Sequence, residues 1–343
     1  MGPKALRREG RLTTRAIGVG IVGCGRISHS HLANLKGIPE AKLVGFVDVR
    51  KEAAYALKAE AGDKAVPDAL VTDDLEALLG RHDLEAVLIL TPHALHYEQV
   101  KAALEDGKHV LCEKPLSVRT DHARELVELA RRNGLVLLVS YQRHYFPAVI
   151  WARERIQAGD IGEVKLCAAC VAHDWMRRNK GTWRTKFGLS GGGMLIDSGS
   201  HLLDQVLWIT GKRPVEVFAL VERLEIEVDT FVAMVARLDN GALVEFVISG
   251  HSPGFRYDVA VWGTEGSIFC ADGEARMEVF DGSVVIPSEG DLPPPSNPDR
   301  NFIRAILGKE PVMSSGEDAL LAVALTEAAY RSAKEGRPVR VEV

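Results

Sequence analysis

Ile17-Gly18-Val19-Gly20-Ile21-Val22-Gly23-Cys24-Gly25-Arg26-Ile27-Ser28 decides the fold. A short β-rich apolar run passes directly into G-x-G-x-x-S and then into helical periodicity, the pattern of a strand, a tight turn and a helix that together hold a dinucleotide. Gly23 permits the turn, Gly25 lets the backbone approach a pyrophosphate, and the small Ser28 allows helix and strand to pack closely. Arg26 and Ile27 stand in the first helical turn, where free N–H groups and partial positive charge face an anion.

Asp48 ends the next strand 23 residues after Gly25, where a carboxylate meets the adenosine ribose. The plainer reading of Asp48 is a cap for the following helix. Its charge repels a 2′-phosphate and favours NAD, while Arg50 two residues on keeps NADP possible.

Outward from this stretch, β-rich runs at Ile17–Val22, Leu43–Val47, Ala86–Leu90, His109–Cys112 and Leu135–Val139 alternate with helical segments. Runs apolar on both faces, such as Ala86-Val87-Leu88-Ile89-Leu90, suit parallel strands covered by helices above and below. The pattern predicts an α/β Rossmann domain over residues 16–140, preceded by a flexible tail over 1–15. Arg7-Arg8 in that tail lacks the separate apolar region of an export signal.

After Pro147 the pattern changes to longer, closely spaced strands with few helices, and Asp239-Asn240-Gly241 marks a hairpin. Residues 141–343 therefore read as a substrate-binding and oligomerisation domain of α/β type with a large open, mainly antiparallel sheet. Within it Thr230–Leu238 is apolar on both faces, which predicts helices on one side and a second subunit on the other.

Composition narrows the function. At 343 residues, with 46% hydrophobic and 26% charged residues, the chain is long enough for two packed domains. A net charge of −5 lacks the basic excess that nucleic acid or an anionic membrane requires. No apolar run approaches the length of a membrane span. Five cysteines form no disulfide framework, which points to a reducing cytoplasm. Cys167-x-x-Cys170 lies in a strand, where the two thiols point to opposite faces, and reads as a buried pair without a metal.

Residues for chemistry gather at the carboxyl ends of the parallel strands, where open α/β sheets place their ligand crevice. Thr91-Pro92-His93 leaves one strand there. His93 and His96, three apart without a thiol or carboxylate nearby, make a poor metal pair, so the reading assigns no metal. Glu113-Lys114-Pro115 leaves the next strand, and Lys114 beside a nicotinamide would polarise a carbonyl or pass a proton.

In the second half, Gly191-Gly192-Gly193 precedes Asp197 and His201, which at i and i+4 share a helix face. An imidazole with an ordinary pKa of about 6.5 takes an alcohol proton near neutrality, with Asp197 orienting the ring or holding a hydroxyl. Arg143 binds a sugar hydroxyl or bridges the domain junction. His173, Trp183, Arg184 and Lys186 lie in an irregular segment able to cover the cleft.

In this order the motifs resemble the Gfo/Idh/MocA oxidoreductases, the family of glucose-fructose oxidoreductase and inositol dehydrogenases. The resemblance runs from about Ile17 to Ala242 and rests on Gly23 to Ser28, Thr91-Pro92-His93, Glu113-Lys114-Pro115, Gly191-Gly192-Gly193 and Asp197-x-Gly199-x-His201. His93 stands where many members have Asn, and Ser28 where Gly or Ala is commoner.

The resemblance implies a cis Lys114-Pro115 bond, a homodimer or homotetramer packed through the C-terminal sheet, and NAD-dependent oxidation of a secondary alcohol of a sugar, cyclitol or sugar derivative. His201 would be the acid/base, Lys114 its partner in polarisation or relay, and Asp197 the orienting carboxylate. The cofactor contacts would be Gly23, Gly25, Arg26, Ile27, Asp48, Arg50, Thr91, Pro92, His93, His96, Glu113 and Lys114. The substrate contacts would be Lys114, Arg143, His173, Trp183, Arg184, Asp197 and His201. The alternatives are a redox-neutral NAD-dependent glycosidase and a non-catalytic dinucleotide sensor.

Overall fold

Two sheets organise the chain, and a computed structural model describes residues 15–271 and 273–343 of it. The tail expected over 1–15 lies, up to residue 14, outside the described residues. The first sheet has six strands: β1 (Ile17–Val22), β2 (Ala41–Val47), β3 (Ala65–Thr72), β4 (Ala86–Ile89), β5 (His109–Cys112) and β6 (Leu137–Val139). Their order is β3-β2-β1-β4-β5-β6, every pair is parallel, and the connecting helices cover both faces. All six residues of β1 are buried, as a central strand beneath helices on both sides requires.

β3 was not foreseen. Pro67 and Asp68 break its apolar pattern, and both are tolerated because the strand lies at the edge of the sheet, half solvated.

The second sheet has nine strands: β7 (Val164–Ala172), β8 (Pro214–Glu222), β9 (Phe231–Leu238), β10 (Leu243–Ser249), β11 (Arg256–Gly263), β12 (Gly266–Ala271), β13 (Glu274–Val279), β14 (Val284–Val285) and β15 (Val339–Arg340). The order is β14-β13-β12-β11-β7-β10-β9-β8-β15, antiparallel except where β7 pairs with β10. β9 and β10 meet at the expected turn, where Gly241 has φ +85° and the Asn240 side chain accepts from the Ala242 N–H at 3.2 Å.

One face of this sheet packs against the helices Pro147–Ala158 and Ser200–Thr210, burying Val232, Met234 and Ala236 of β9. The other face leaves Leu220, Val235, Leu243 and Val247 exposed, with Leu220 at 61%. The end of the chain returns to the first sheet: Phe302 and Ile303 of helix Pro298–Ile306 join the core around β1. Helix Gly316–Glu335 contributes Leu320 and Val323 to one core and Leu325 and Ala329 to the other. The last helices thus pack against the cores of both sheets.

Candidate active site

The first wall is backbone. β1 ends in Gly23 at φ +93°, and a Cβ there would lie 2.8 Å from the Leu90 carbonyl carbon. A Cβ on Gly25 would meet nothing within 4 Å, so the turn opens onto free space at the start of helix Arg26–Lys36. Ser28 is buried and its hydroxyl donates to the Gly25 carbonyl at 2.6 Å, which explains serine where a smaller residue is commoner. Asp48 ties this turn down, accepting from the Cys24 N–H at 2.8 Å and from the Arg50 N–H at 2.9 Å. Each carboxylate oxygen retains a lone pair for a ribose hydroxyl. An open glycine turn, a helix N-terminus and a carboxylate at the end of β2 fit a dinucleotide.

The second wall depends on side chains from distant parts of the chain. Asp229, buried just before β9, accepts from the Gly193 N–H at 2.6 Å, the Leu195 N–H at 2.7 Å and the Tyr330 hydroxyl at 2.7 Å. The contact is close enough that a Cβ on Gly193 would fall 2.1 Å from the Asp229 carbonyl oxygen. From this turn the chain enters a π-helical turn, Leu195–Gly199, in which the Gly199 N–H donates to the Met194 carbonyl at 2.8 Å, before helix Ser200–Thr210. Such turns are rare and recur at functional sites. The sequence reading that puts Asp197 and His201 on one regular helix face misses it.

Asp197, held in the π-turn, is where the walls meet. Its Oδ1 accepts from Lys114 Nζ at 2.6 Å, and its own carbonyl accepts from the same ammonium at 2.9 Å. Its Oδ2 accepts from Trp175 Nε1 at 2.7 Å and Arg184 Nε at 3.1 Å. Burial works against the charged carboxylate, but Lys114 and Arg184 hold it ionised, well below the usual range. The Lys114-Pro115 peptide bond is cis.

His201 follows four residues later. Its Nδ1 is buried without a hydrogen-bond partner among the described residues, leaving Nε2 as the nitrogen open to the cleft. Burial, and then the charge of Lys114, push its pKa down to about 3. The ordinary value of about 6.5 assumed from the sequence therefore does not apply: at pH 7 the ring is neutral and a weaker base than a free imidazole.

A cleft of about 410 Å³ is lined by Gly25, Arg26, Ile27, Thr91, His93, Glu113, Lys114, His173, Trp183, Arg184, Asp197 and His201 from the sequence reading. Gln142, Trp175 and Ser198, which it did not assign, join them. His93 spans the two walls: its Nδ1 donates to the Ser190 carbonyl at 3.0 Å and its Nε2 lies 3.9 Å from Asp197 Oδ1. Arg143 lies over the Tyr257 ring, 3.4 Å from its centroid, in an adjoining pocket that also borders His173 and His201.

Several expected residues sit elsewhere. His96 is fully buried behind the cleft, its two nitrogens on the Pro115 and Thr91 carbonyls at 2.7 and 2.8 Å, so it ties two loops together instead of lining the site. Pro92 is not among the lining residues, and Gly23 lies beneath them. Arg50 is exposed near Asp48, away from the reacting end. Lys186 is paired with Glu227 on the surface at 3.1 Å. All five cysteines are buried free thiols.

Fold and site together define a dinucleotide-binding oxidoreductase whose cleft lies between two unlike sheets. Residues 17–141 match the model of an oxidoreductase family with an NAD-binding Rossmann fold, and residues 149–269 match the GFO/IDH/MocA C-terminal domain. The chain belongs to the Gfo/Idh/MocA oxidoreductase family.

Its relatives include the myo-inositol 2-dehydrogenase of Thermotoga maritima, 28% identical over 94% of this chain and 98% of that protein. An uncharacterized oxidoreductase of Bacillus subtilis, YrbE, is 28% identical over 96% of this chain and 98% of that one. Among solved structures, a levoglucosan dehydrogenase in complex with NADH and L-sorbose superposes with a TM-score of 0.86, covering 96% of this chain and 99% of that one at 22% identity.

Proposed function

We propose that this protein is an NAD-dependent dehydrogenase of a secondary alcohol on a sugar, cyclitol or sugar derivative. The observation that carries the reading is the Lys114 Nζ to Asp197 contact at 2.6 Å, which joins the carboxyl edge of β5 to the substrate wall beside the open glycine turn. The relative named as a myo-inositol 2-dehydrogenase supports the cyclitol class.

Gly23, Gly25 and the first turn of helix Arg26–Lys36 would hold the pyrophosphate, Asp48 the adenosine ribose, and Thr91, Glu113 and Lys114 would border the nicotinamide. A bound nicotinamide would supply the hydride acceptor for the carbinol carbon. His201 Nε2, neutral, accepts the hydroxyl proton. The Lys114 ammonium, two of whose protons are fixed on Asp197, turns the third toward the same oxygen and stabilises the alkoxide as it forms. Asp197 holds that ammonium in place, with Trp175 and Arg184 fixing the carboxylate in turn. Arg143 and His173 shape the outer pocket where the remaining hydroxyls lie.

Inositols and aldoses assayed with NAD, following absorbance of the reduced nicotinamide, test the reading. Reduction with at least one of them supports it, whereas aryl glycoside hydrolysis without net reduction would replace it by a redox-neutral glycosidase. The exposed apolar face of the second sheet, with Leu220, Val235, Leu243 and Val247, fits a second copy of the chain. Val235→Lys is expected to reduce the particle mass measured by light scattering; an unchanged mass contradicts that interface. Five buried thiols without a disulfide support a reducing, cytoplasmic setting.

A further inference from the structure

His31 lies on the helix that begins at the glycine turn, and the mechanism above does not use it. Its Nδ1 is 2.7 Å from Asp299 Oδ1 and its Nε2 3.2 Å from Glu113 Oε1. Asp299 comes from helix Pro298–Ile306, almost the whole chain away, and its second oxygen accepts from Asn34 at 2.7 Å. His31 is 3% exposed, Glu113 8% and Asp299 0%.

An ionised carboxylate only accepts hydrogen bonds, so a ring facing one at each nitrogen donates from both and carries a proton on each. The three groups then sum to one negative charge, and Glu113 alone among them lines the cleft. The ammonium next to it, Lys114, is committed to Asp197 by two hydrogen bonds. Gln142, whose Nε2 lies 3.5 Å from Glu113 Oε1, is neutral. A buried carboxylate is thus fixed at the carboxyl end of β5, facing a cleft that Arg26, Arg178 and Arg184 also line.

We infer that Asp299, acting through His31, positions Glu113 as a fixed anion beside the nicotinamide site, and that this anion favours the oxidised, positively charged ring over the neutral reduced one. The inference rests on the dinucleotide reading above and extends it to which redox form binds. Burial opposes the charge on both partners. Even so, Asp299 and then Glu113 raise the His31 pKa to about 10, and His31 with Lys114 lowers the Glu113 pKa to about 2. Asp299 and His31 are positioning residues, since neither lines the cleft.

Binding of NAD and of NADH, each titrated separately without substrate, tests the inference in wild type, Glu113→Gln and Asp299→Asn. The ratio of the NAD to the NADH dissociation constant is expected to rise about tenfold in Glu113→Gln, the scale of one nearby charge in a partly screened site. It is expected to rise about threefold in Asp299→Asn, where Glu113 keeps its charge but loses its anchor. Equal weakening of both forms, leaving the ratio unchanged, is what a merely structural role gives, and it would overturn the inference while leaving the dinucleotide reading intact. Should Glu113→Gln not fold, the Asp299→Asn ratio decides in the same way. Wild-type protein that binds neither form would overturn the dinucleotide reading, and this inference with it.

Discussion

The two walls of the cleft are built by different means. The cofactor wall is contiguous in sequence: a strand, a glycine turn and a helix within twenty residues, held by backbone geometry and by Asp48. The substrate wall is assembled from far apart. Asp229 and Tyr330 hold the glycine turn, Trp175 and Arg184 hold Asp197, and Lys114 crosses from the first sheet. On the proposed reading, backbone suffices where the ligand is a pyrophosphate that any N–H can bind. Side-chain networks are needed where one hydroxyl must meet two groups in a fixed geometry.

Substitutions can separate the walls. The largest effect is expected at their junction: Lys114→Ala should lower kcat/KM by roughly 10³ to 10⁴, and His201→Ala by roughly 10² to 10³, with NADH affinity nearly unchanged in the latter. Steady-state kinetics beside fluorescence titration of NADH checks both. A His201→Ala enzyme with full turnover removes its assigned role.

Next is the support of the substrate wall. Asp229→Ala strands the N–H groups of Gly193 and Leu195, and should cost roughly 2 to 4 kcal/mol in urea unfolding. Turnover should fall at a concentration where the protein stays folded and NADH still binds. Equal loss of NADH binding would mean that the walls are not separable.

On the cofactor wall the expected change is in preference. Asp48→Ser, with Arg50 beside it, should shift the ratio of kcat/KM for NADP over NAD upward by roughly tenfold or more. A parent enzyme that already prefers NADP contradicts the ribose assignment.

A last prediction concerns how stability varies with pH. His31 has a folded pKa of about 10, above its unfolded value near 6.5, so it binds its proton more tightly when folded. Its stabilisation is full below about pH 6.5 and is lost as pH rises through 10. Thermal midpoints followed from pH 6.5 to 10 should therefore fall more steeply in wild type than in Asp299→Asn, and parallel curves would show that the ring is not charged in the fold.

What the sequence discloses follows the same division. Gly23, Gly25, Asp48 and Lys114 are legible because each stands beside a local signal: the end of an apolar strand, a turn, or a fixed distance from either. Asp197 and His201 are legible through the glycines before them, although the π-turn that carries Asp197 leaves no mark in a pattern of period 3.6. Asp229, Tyr330, Trp175 and the pairing of His31 with Asp299 could not be read, since their partners lie from 22 to 268 residues away and no spacing rule links them. β3 was hidden by Pro67, and His96 was misassigned because proximity to His93 in sequence does not distinguish the lining of a cleft from the layer behind it.

A crystal structure with NADH and a bound polyol would test the central claim most directly. Lys114 Nζ and His201 Nε2 should both lie within hydrogen-bond distance, about 2.6 to 3.2 Å, of one hydroxyl whose carbon faces the nicotinamide. A polyol whose reacting hydroxyl touches neither group, or whose contacts to the two fall on different hydroxyls, would contradict it.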